Sequence, residues 1–296
     1  MRAYQFVTDA KAGKVIKLGI FSDVHFDSPD CDKETLKKHL DFCMKDGRYI
    51  LFNGDWFDAI ILSDRKRSVP HLIENTDAQL NKKLEEAYEF LKPYQKNILF
   101  MGRGNHEESI MKYNGIDLLQ MLTTMLNMGQ EHKVLYGNYA NFLRFTFKKK
   151  DRKEYNFDVF MHHGAGGSAP ATKGMLDFNA LAKGVNADLI CIGHKHNAII
   201  DYSTPIMYID NAGKVVLKNR QCLQTPSYQK GRTIDYNINF AERFYGHTSL
   251  SGFGEVNLRL VGEHGGYEVV PDIKITTRPQ ITIGQVETSV LKQKQR

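Results

Sequence analysis

Five short apolar segments of this sequence each run directly into aspartate, asparagine or histidine. Helix-like segments separate them, and alternating strands and helices favour an α/β fold. The polar clusters are Asp23-Val24-His25, Gly54-Asp55-Trp56-Phe57-Asp58, Gly104-Asn105-His106-Glu107, His162-His163-Gly164 and Gly193-His194-Lys195-His196. Ligands of open α/β sheets bind outside the carboxyl ends of the strands. We therefore expect the five clusters to meet at one edge of a sheet.

Apolar periodicity predicts the elements that carry these clusters. Strands are predicted at 15–21, 49–52, 97–101, 157–161 and 188–192, and helices at 32–46, 77–91 and 116–128. After about residue 198 the pattern becomes short alternating segments, at 198–201, 206–209, 214–217, 255–261 and 267–275. These predict a β-rich half over 198–287 and a frayed tail at 288–296. Because no linker or repeat interrupts the pattern, we expect a single domain over 1–296.

Composition limits the class of protein. The chain has 296 residues, 42% of them hydrophobic, which is typical of a globular protein and too apolar for a disordered one. No apolar run approaches the roughly 20 residues that cross a bilayer, and the first residues lack the apolar core of a signal peptide. The four scattered cysteines predict reduced thiols in the cytoplasm. The net charge of +6 fits either a solvated basic surface or attraction to a polyanion.

Each polar cluster alone has an ordinary interpretation, such as a surface turn, a capped helix start or a histidine pair of the core. The five together, in this order and each at a strand end, indicate a metal site. Imidazole and carboxylate donors suit Mn, Fe, Zn and similar metals. The donors suffice for two ions that share one carboxylate, which holds such ions about 3.5–4 Å apart.

The ordered set of Asp-x-His, Gly-Asp-x-x-Asp, Gly-Asn-His-Glu, a lone His and Gly-His-x-His resembles the motifs of the calcineurin-like metallophosphoesterases. The resemblance extends over about residues 15–200. It implies a four-layer α/β/β/α sandwich with a dinuclear metal site at the carboxyl ends of the strands. It also implies that the β-rich C-terminal half completes the second sheet.

The resemblance implies a ligand for each metal position. One metal would be held by Asp23, His25, Asp55 and His196. The other would be held by Asp55, Asn105, His194 and one histidine of the pair His162-His163. Asp55 would be the bridge. Family members usually carry the ligand as the first polar residue after that strand, so we expect His162 to bind metal and His163 to support it or face substrate, with the reverse assignment left open.

The resemblance also implies how such a site hydrolyses a phosphate ester. Two cations neutralise the phosphate charge and lower the pKa of a bridging water, and the resulting hydroxide attacks phosphorus in line. His106 would serve as general acid or transition-state stabiliser at the leaving oxygen, and Asp58 would orient it. We expect Mn²⁺ in the site, with Fe, Zn, Ni, Co or Mg as alternatives.

Departures from related enzymes bear on the substrate. Ser/Thr phosphatases of the family carry phosphate-gripping arginines where this chain has Ala59 and the run Glu108-Ser109-Ile110. This difference disfavours a protein phosphatase. The Gly-rich stretch 164–174 is either a flexible connection or a nest for a phosphate oxygen, with Lys173 nearby.

The run Gly104-Asn105-His106-Glu107, followed by Lys112 and by Gly115-Ile116-Asp117, is similar to a metallophosphoesterase subgroup frequent in phage and prophage genomes. This similarity implies the host cytoplasm as the location if a phage encodes the protein. Together with the basic charge, this similarity favours a nuclease-like phosphodiesterase acting on nucleic acid or a nucleotide. A phosphomonoesterase or nucleotide phosphatase is the alternative. A catalytically silent binding scaffold is a third hypothesis, disfavoured because every ligand position is kept.

Overall fold

The apolar runs of the sequence pair into two large mixed sheets. A computed structural model describes residues 1–11, 13–58, 76–149, 153–166, 175–202, 204–210, 213–229, 251–263 and 266–277. The strands are β1 (Arg2–Asp9), β2 (Val15–Phe21), β3 (Tyr49–Asn53), β4 (Ile98–Gly102), β5 (Leu135–Tyr136), β6 (Ala140–Lys148), β7 (Glu154–His162), β8 (Leu189–Ile192), β9 (Ile199–Asp201), β10 (Ile206–Ile209), β11 (Val215–Lys218), β12 (Gln221–Gln224), β13 (Gly252–Glu263) and β14 (Gly266–Thr277). The helices are α1 (Lys33–Lys45), α2 (Thr76–Leu91), α3 (Asn105–Asn114), α4 (Leu118–Asn127) and α5 (Met175–Gly184), with a 3₁₀ turn at Lys92–Tyr94.

The strand order shows how the chain brings the polar clusters together. Sheet I has the order β14-β13-β2-β3-β4-β5, and sheet II has the order β1-β6-β7-β8-β12-β9. Strands β2, β3 and β4 run parallel in sheet I, and β7 and β8 run parallel in sheet II. The carboxyl ends within each parallel group therefore lie side by side. Strands β10 and β11 form a separate antiparallel hairpin.

Side chains of alternating strand positions build the layers. Leu18 of sheet I and Val159 of sheet II belong to the apolar core between the sheets. Helices α1, α2 and α4 cover the outer face of sheet I, where Leu84 and Phe52 share a second core. Helix α5 covers the outer face of sheet II with the buried Phe178. The expected four-layer α/β/β/α sandwich is confirmed.

The structure contains the predicted strands and helices, with bounds shifted by a few residues, and adds elements that periodicity missed. Strand β1 has only a weak signal because its inward residues are half-buried. Strand β12 is four residues long, which is too short for a clear period. Helix α3 begins at Asn105, inside the polar cluster that masked its start.

The strands after residue 198 divide between the two large sheets and the separate β10–β11 hairpin, which corrects the expectation that they complete the second sheet. Strands β9 and β12 join sheet II, whereas β13 pairs antiparallel with β2 and extends sheet I together with β14. The reason is the apolar face of β13, on which Val256 and Leu258 join Leu18 in the core between the sheets. The frayed tail at 288–296 lies outside the described residues.

Candidate metal centre

The five polar clusters meet where the carboxyl edges of the two sheets adjoin. Three clusters follow β2, β3 and β4 of sheet I, and two follow β7 and β8 of sheet II. The sequence argument placed them at one edge of one sheet, and the structure corrects this to two facing edges. Ligands thus approach the site from both sides of the sandwich.

The backbone of the site is held in an unusual conformation. Five non-glycine residues of the described chain have positive φ, at values between 48° and 69°, and all five are predicted metal ligands: Asp23, His25, Asp55, His194 and His196. Left-handed backbone is uncommon outside glycine and costs energy, and it gathers at functional sites. Hydrogen bonds from Asp23 N to Gly54 O (3.1 Å) and from His25 N to Asp55 O (3.0 Å) hold two of these turns against each other.

Two glycines make room for the ligands. A side chain on Gly104 would overlap the Asp55 carboxylate, and one on Gly54, where φ is 89°, would overlap the His163 ring. These contacts explain why the clusters read Gly-Asp and Gly-Asn, since only glycine permits so close an approach.

Asp23, His25 and His196 form one group of possible metal ligands. His196 Nε2 lies 3.3 Å from Asp23 Oδ1. Asp23 and His25 are buried, and the Nε2 atom of His25 has no hydrogen-bond partner among the described residues. A buried ring nitrogen without a partner is costly, so this atom is suited to a ligand.

Asp55, His163 and His194 form a second group. His163 Nε2 lies 2.9 Å from Asp55 Oδ2 and 3.0 Å from Asn105 Oδ1. The backbone amide of His194 donates to both carboxylate oxygens of Asp23, each at 2.9 Å. The side-chain oxygen of Asn105 and the carboxylate of Asp55 thus both lie beside His163 Nε2. In this position Asn105 would be a neutral oxygen ligand.

Asp55 lies between the two groups. Its Oδ2 atom is 4.0 Å from His25 Nε2 of the first group and 2.9 Å from His163 Nε2 of the second. His163 Nε2 is likewise 4.0 Å from Asp23 Oδ1. A carboxylate in this position can serve two cations at once.

The structure brings His163, and not His162, to these groups. Strand β7 alternates, with Met161 facing the core between the sheets and Phe160 facing α5. His162 lies on the Phe160 side, where its Nδ1 accepts from Gly164 N at 2.9 Å and its ring packs against Tyr139. His163 lies on the opposite side and is fully buried at the site. A period of two places His163 on the face of Phe157, Val159 and Met161, but it does not say which face of β7 meets sheet I.

His106 and Asp58 lie beside the first group. His106 Nδ1 is 2.6 Å from the carbonyl oxygen of Asp58 and 3.4 Å from its Oδ1. Asp58 Oδ1 also lies 3.0 Å from His25 Nδ1. One carboxylate thus contacts both His25, a predicted ligand, and His106, where the sequence argument had given Asp58 only the second role.

Glu107 is a structural residue that the sequence argument did not single out. Its buried carboxylate accepts from the backbone amides of Asp55 (3.1 Å), Phe57 (2.9 Å) and Gly104 (2.8 Å). Burial, followed by repulsion from Asp55, raises the pKa of Glu107 to about 7, although the amides oppose the shift. The signal was available, because a glutamate at the third position of a helix typically caps its start.

Opposite charges dominate the electrostatics of the site. Burial favours neutral Asp23, but hydrogen bonding and attraction from His196 outweigh it and lower the pKa of Asp23 to about 2. The pKa of Asp55 is also lowered, since His163 and His106 outweigh burial. Conversely, burial lowers the pKa of His25, but Asp58 and Asp55 overcome it and raise that pKa to about 9.

The donor set fits divalent metal ions. Within each group the ligand atoms lie within 4.8 Å of one another. Carboxylate oxygen and imidazole nitrogen are the donors that borderline divalent metals accept, and the carboxylates supply the negative charge that cations would balance. The unpartnered Nε2 of buried His25 agrees with this assignment.

Three described cations beside the polar clusters have partners within the chain. Lys195 Nζ donates to the carbonyl oxygens of Ala165 (2.6 Å) and Gly166 (2.7 Å). Lys83 pairs with Asp27, and Arg103 donates to Asn138 Oδ1 at 3.0 Å. Lys173, most of the Gly-rich stretch after Gly166, and Ala59 lie outside the described residues.

Two further predictions concern membrane-spanning segments and the state of the cysteines. None of the described helices is both long and apolar enough to span a bilayer. All four cysteines are buried and free of disulfides.

Comparisons with known proteins agree with this site. The family described as calcineurin-like phosphoesterase matches residues 16–198, well over half of the chain. No curated protein matches the chain significantly.

Three solved structures are similar over most of their length. Calcineurin-like phosphoesterase YfkN from Bacillus subtilis is 12% identical, with 89% of this chain and 90% of that chain covered and a TM-score of 0.43. GAP50, described as the anchor in the inner membrane complex of Plasmodium, is 13% identical, with 88% and 84% covered and a TM-score of 0.44. A metallophosphoesterase from Sphaerobacter thermophilus is 12% identical, with 86% and 88% covered and a TM-score of 0.34.

The family match covers the segment that carries all five clusters, and the clusters assemble into groups of metal-ligand type. The chain therefore belongs to the calcineurin-like phosphoesterase family and is a metal-dependent hydrolase of phosphate esters.

Proposed function

We propose that this hydrolase uses two divalent metal ions and prefers phosphodiesters, with nucleic acid or a nucleotide as the substrate class. The observation that carries the two-metal assignment is the position of Asp55 between two groups of ligands. The first ion would be held by Asp23, His25, Asp55 and His196. The second would be held by Asp55, Asn105, His163 and His194.

His163 takes the ligand role in this proposal, and His162 does not. The support is its distance of 2.9 Å to Asp55 Oδ2 and 3.0 Å to Asn105 Oδ1, against the hydrogen bond that His162 makes with the chain at Gly164. His162 then remains available to face substrate from the side of sheet II.

When bound, divalent cations supply Lewis acidity toward phosphate oxygens and acidify water, so that it becomes a nucleophile near neutral pH. The remaining chemistry belongs to the chain. His106 delivers a proton to the leaving oxygen from its Nε2 side, because its Nδ1 is held by Asp58 at 2.6 Å. Burial is the main reason that the pKa of His106 is lowered, which makes its imidazolium a stronger acid. Asp58 orients the ring.

The preference for a diester is supported by the charges around the site. A monoester dianion gains from arginines that grip its oxygens in pairs. The described cations beside this site, Lys83, Arg103 and Lys195, are occupied by contacts with the chain itself. A diester carries one charge, so fewer cations suffice to hold it.

Kinetics on matched substrates test the preference. With Mn²⁺ added, kcat/KM for bis-p-nitrophenyl phosphate should exceed that for p-nitrophenyl phosphate. Asp55→Asn protein purified in parallel reports any contaminating phosphatase. A higher value for the monoester would overturn the preference and support the phosphomonoesterase alternative.

The nucleic-acid preference rests on the net charge of +6 and has its own test. Binding of single-stranded DNA by the metal-loaded protein should weaken steeply between 50 and 200 mM salt, because phosphate contacts release counterions. Absent or salt-insensitive binding would leave a small diester as the substrate.

Mn²⁺ is the metal we propose, because both groups mix carboxylate and imidazole donors. Metal analysis of protein purified without chelator distinguishes it from Fe, Zn, Ni, Co and Mg. We propose the cytoplasm as the location, which agrees with four free buried thiols.

A further inference from the structure

An open cleft of about 590 Å³ lies between α5 and β10 on the outer side of sheet II. Arg220, at its base, immediately precedes β12. The other end of β12 leads to Thr225, whose hydroxyl contacts Ser22 beside the metal centre. A strand rises about 3.3 Å per residue, so the cleft and the metal centre lie at opposite ends of β12.

The cleft has an unbalanced charge. Lys183 and Arg220 line it, and none of the lining residues among those the structure describes is an aspartate or a glutamate. Arg220 is 4% exposed, and it forms no ion pair with a carboxylate of the described chain. Buried guanidinium groups are normally paired, because an uncompensated buried charge is costly.

The hydrogen bonds of Arg220 leave donors unused. Its Nη1 atom donates to Ala182 O at 2.6 Å, at the carboxyl end of α5. Its buried Nε atom has no hydrogen-bond partner among the described residues. A guanidinium carries five N–H donors in a fork that matches an oxyanion. The contact with the carbonyl oxygen of Ala182 therefore accounts for only some of these donors.

Apart from Asn179 and Thr204, the rest of the lining is apolar, and two of its large apolar side chains are exposed. Leu176 is 61% exposed and Met207 is 71% exposed, and Ile206 lies beside them. Exposed apolar side chains around a few convergent polar groups are typical of small-molecule sites.

We propose that this cleft binds a small organic oxyanion, a phosphate ester or a carboxylate that carries an apolar group. The anionic head lies on Arg220 and Lys183, and the apolar body lies on Leu176, Ile206 and Met207. The site is separate from the metal centre and does not depend on the substrate proposed for it.

Methionine-methyl NMR tests this site locally, because Met207 lines the cleft. The Zn²⁺-loaded protein, labelled at its ten methionines, is titrated with benzylphosphonate, which cannot be hydrolysed as an ester. A Met207→Leu variant assigns the signal. We expect a saturable shift of the Met207 signal and none of Met161, which lies in the core between the sheets. Binding at the metal centre would not produce this pattern.

Variants and related probes complete the test. Lys183→Gln, at an exposed position, should weaken the affinity about tenfold or more, as loss of a charge-assisted contact does. Lys45→Gln, an exposed lysine in the last turn of α1, should leave the affinity unchanged. Arg220→Lys should also weaken binding, since lysine lacks the paired N–H donors of a guanidinium.

Comparing the affinities of phenylacetate and benzylphosphonate distinguishes a carboxylate ligand from a phosphate-like one. Tighter binding of either compound supports the site. An unmoved Met207 signal, or equal affinity in Lys183→Gln and the unmodified chain, would overturn the proposal. If benzyl alcohol bound as tightly as benzylphosphonate, the proposed contact with an anionic head would be wrong. If inorganic phosphate bound as tightly, the proposed apolar contact would be wrong.

Discussion

The carboxyl edge of the sheets holds His163 and the helix-covered face of sheet I holds His39, and the pKa values of these two histidines shift in opposite directions. At the edge, burial lowers the pKa of His163, and attraction from Asp55 and Asp23 overcomes it and raises the pKa to about 10. On α1, His39 contacts Tyr228 and Phe253, and burial lowers its pKa to about 4. Burial alone therefore predicts a neutral histidine.

Buried carboxylates beside histidine distinguish the metal centre of this molecule from its apolar core. Buried carboxylates raise the pKa values of His25 and His163 at the edge, and a divalent cation can replace the positive charge that these carboxylates favour. His39 lies in a mostly apolar setting that offers no such exchange. The predictions below alter one side of this contrast at a time.

Asp55→Asn should have the largest effect, because it removes the carboxylate that both ligand groups approach. We expect most bound metal to be lost and activity to fall by more than the roughly 10–100-fold typical of an outer-shell residue. Metal analysis and turnover of bis-p-nitrophenyl phosphate measure the two effects. Full metal occupancy in the variant would contradict the bridging assignment.

His106→Ala should keep its metal and lose hydrolysis, because Asp58 orients this histidine and its pKa is lowered whereas that of its neighbour His25 is raised. General acid help is typically worth about 10²–10⁴ in rate. The loss should shrink for p-nitrophenolate leaving groups, which need no proton. If the variant loses metal instead, His106 is a ligand, as its place in a group with His25 and Asp55 allows.

His163→Ala and His162→Ala are a matched pair of neighbours on opposite faces of one strand end. The first should weaken metal binding by at least about tenfold, because it removes a donor next to Asp55. The second should keep the metal content of the unmodified chain. The metal content and affinity of both variants decide the assignment. The reverse outcome would restore His162 as the ligand.

The sequence predicted the chemistry of the site better than its geometry. Asp, Asn and His at five strand ends sufficed to identify the clusters, because the carboxyl ends of neighbouring parallel strands lie at the same edge of a sheet. The choice between His162 and His163 depends on which face of β7 looks toward sheet I, and a period of two does not say which face that is. The left-handed turns at Asp23 and Asp55 arise from contacts between separate loops.

The fold, like the site, has elements that the sequence predicts and contacts that it does not. Long periodic helices such as α1 and α4 were predictable, because each buries a continuous stripe. The pairing of β13 with β2 was not, since it joins residues far apart in sequence. Its register depends on packing against sheet II, which no local pattern records.

His39→Asn should have the smallest effect, and it isolates the apolar side of the contrast. In the native protein the pKa of His39 is lowered to about 4, and an unfolded histidine titrates near 6.5. Between these values the unfolded chain binds more protons, so the contribution of His39 to stability is lost as pH falls from about 6.5 to about 4. The loss is on the order of 2 kcal/mol, since each pKa unit is worth about 1.4 kcal/mol and the side chain keeps some contact with water.

Urea unfolding of both proteins at several pH values between 7 and 4 measures this contribution, with chelator present throughout so that metal release adds nothing. Asparagine keeps a polar atom near the Tyr228 hydroxyl but does not titrate, so the variant should be less stable at pH 7 and lose less stability on acidification. The two stability curves should converge as pH falls. Parallel curves would mean that His39 titrates alike in both states, and the contrast between the two histidine environments would then rest on the carboxylates alone.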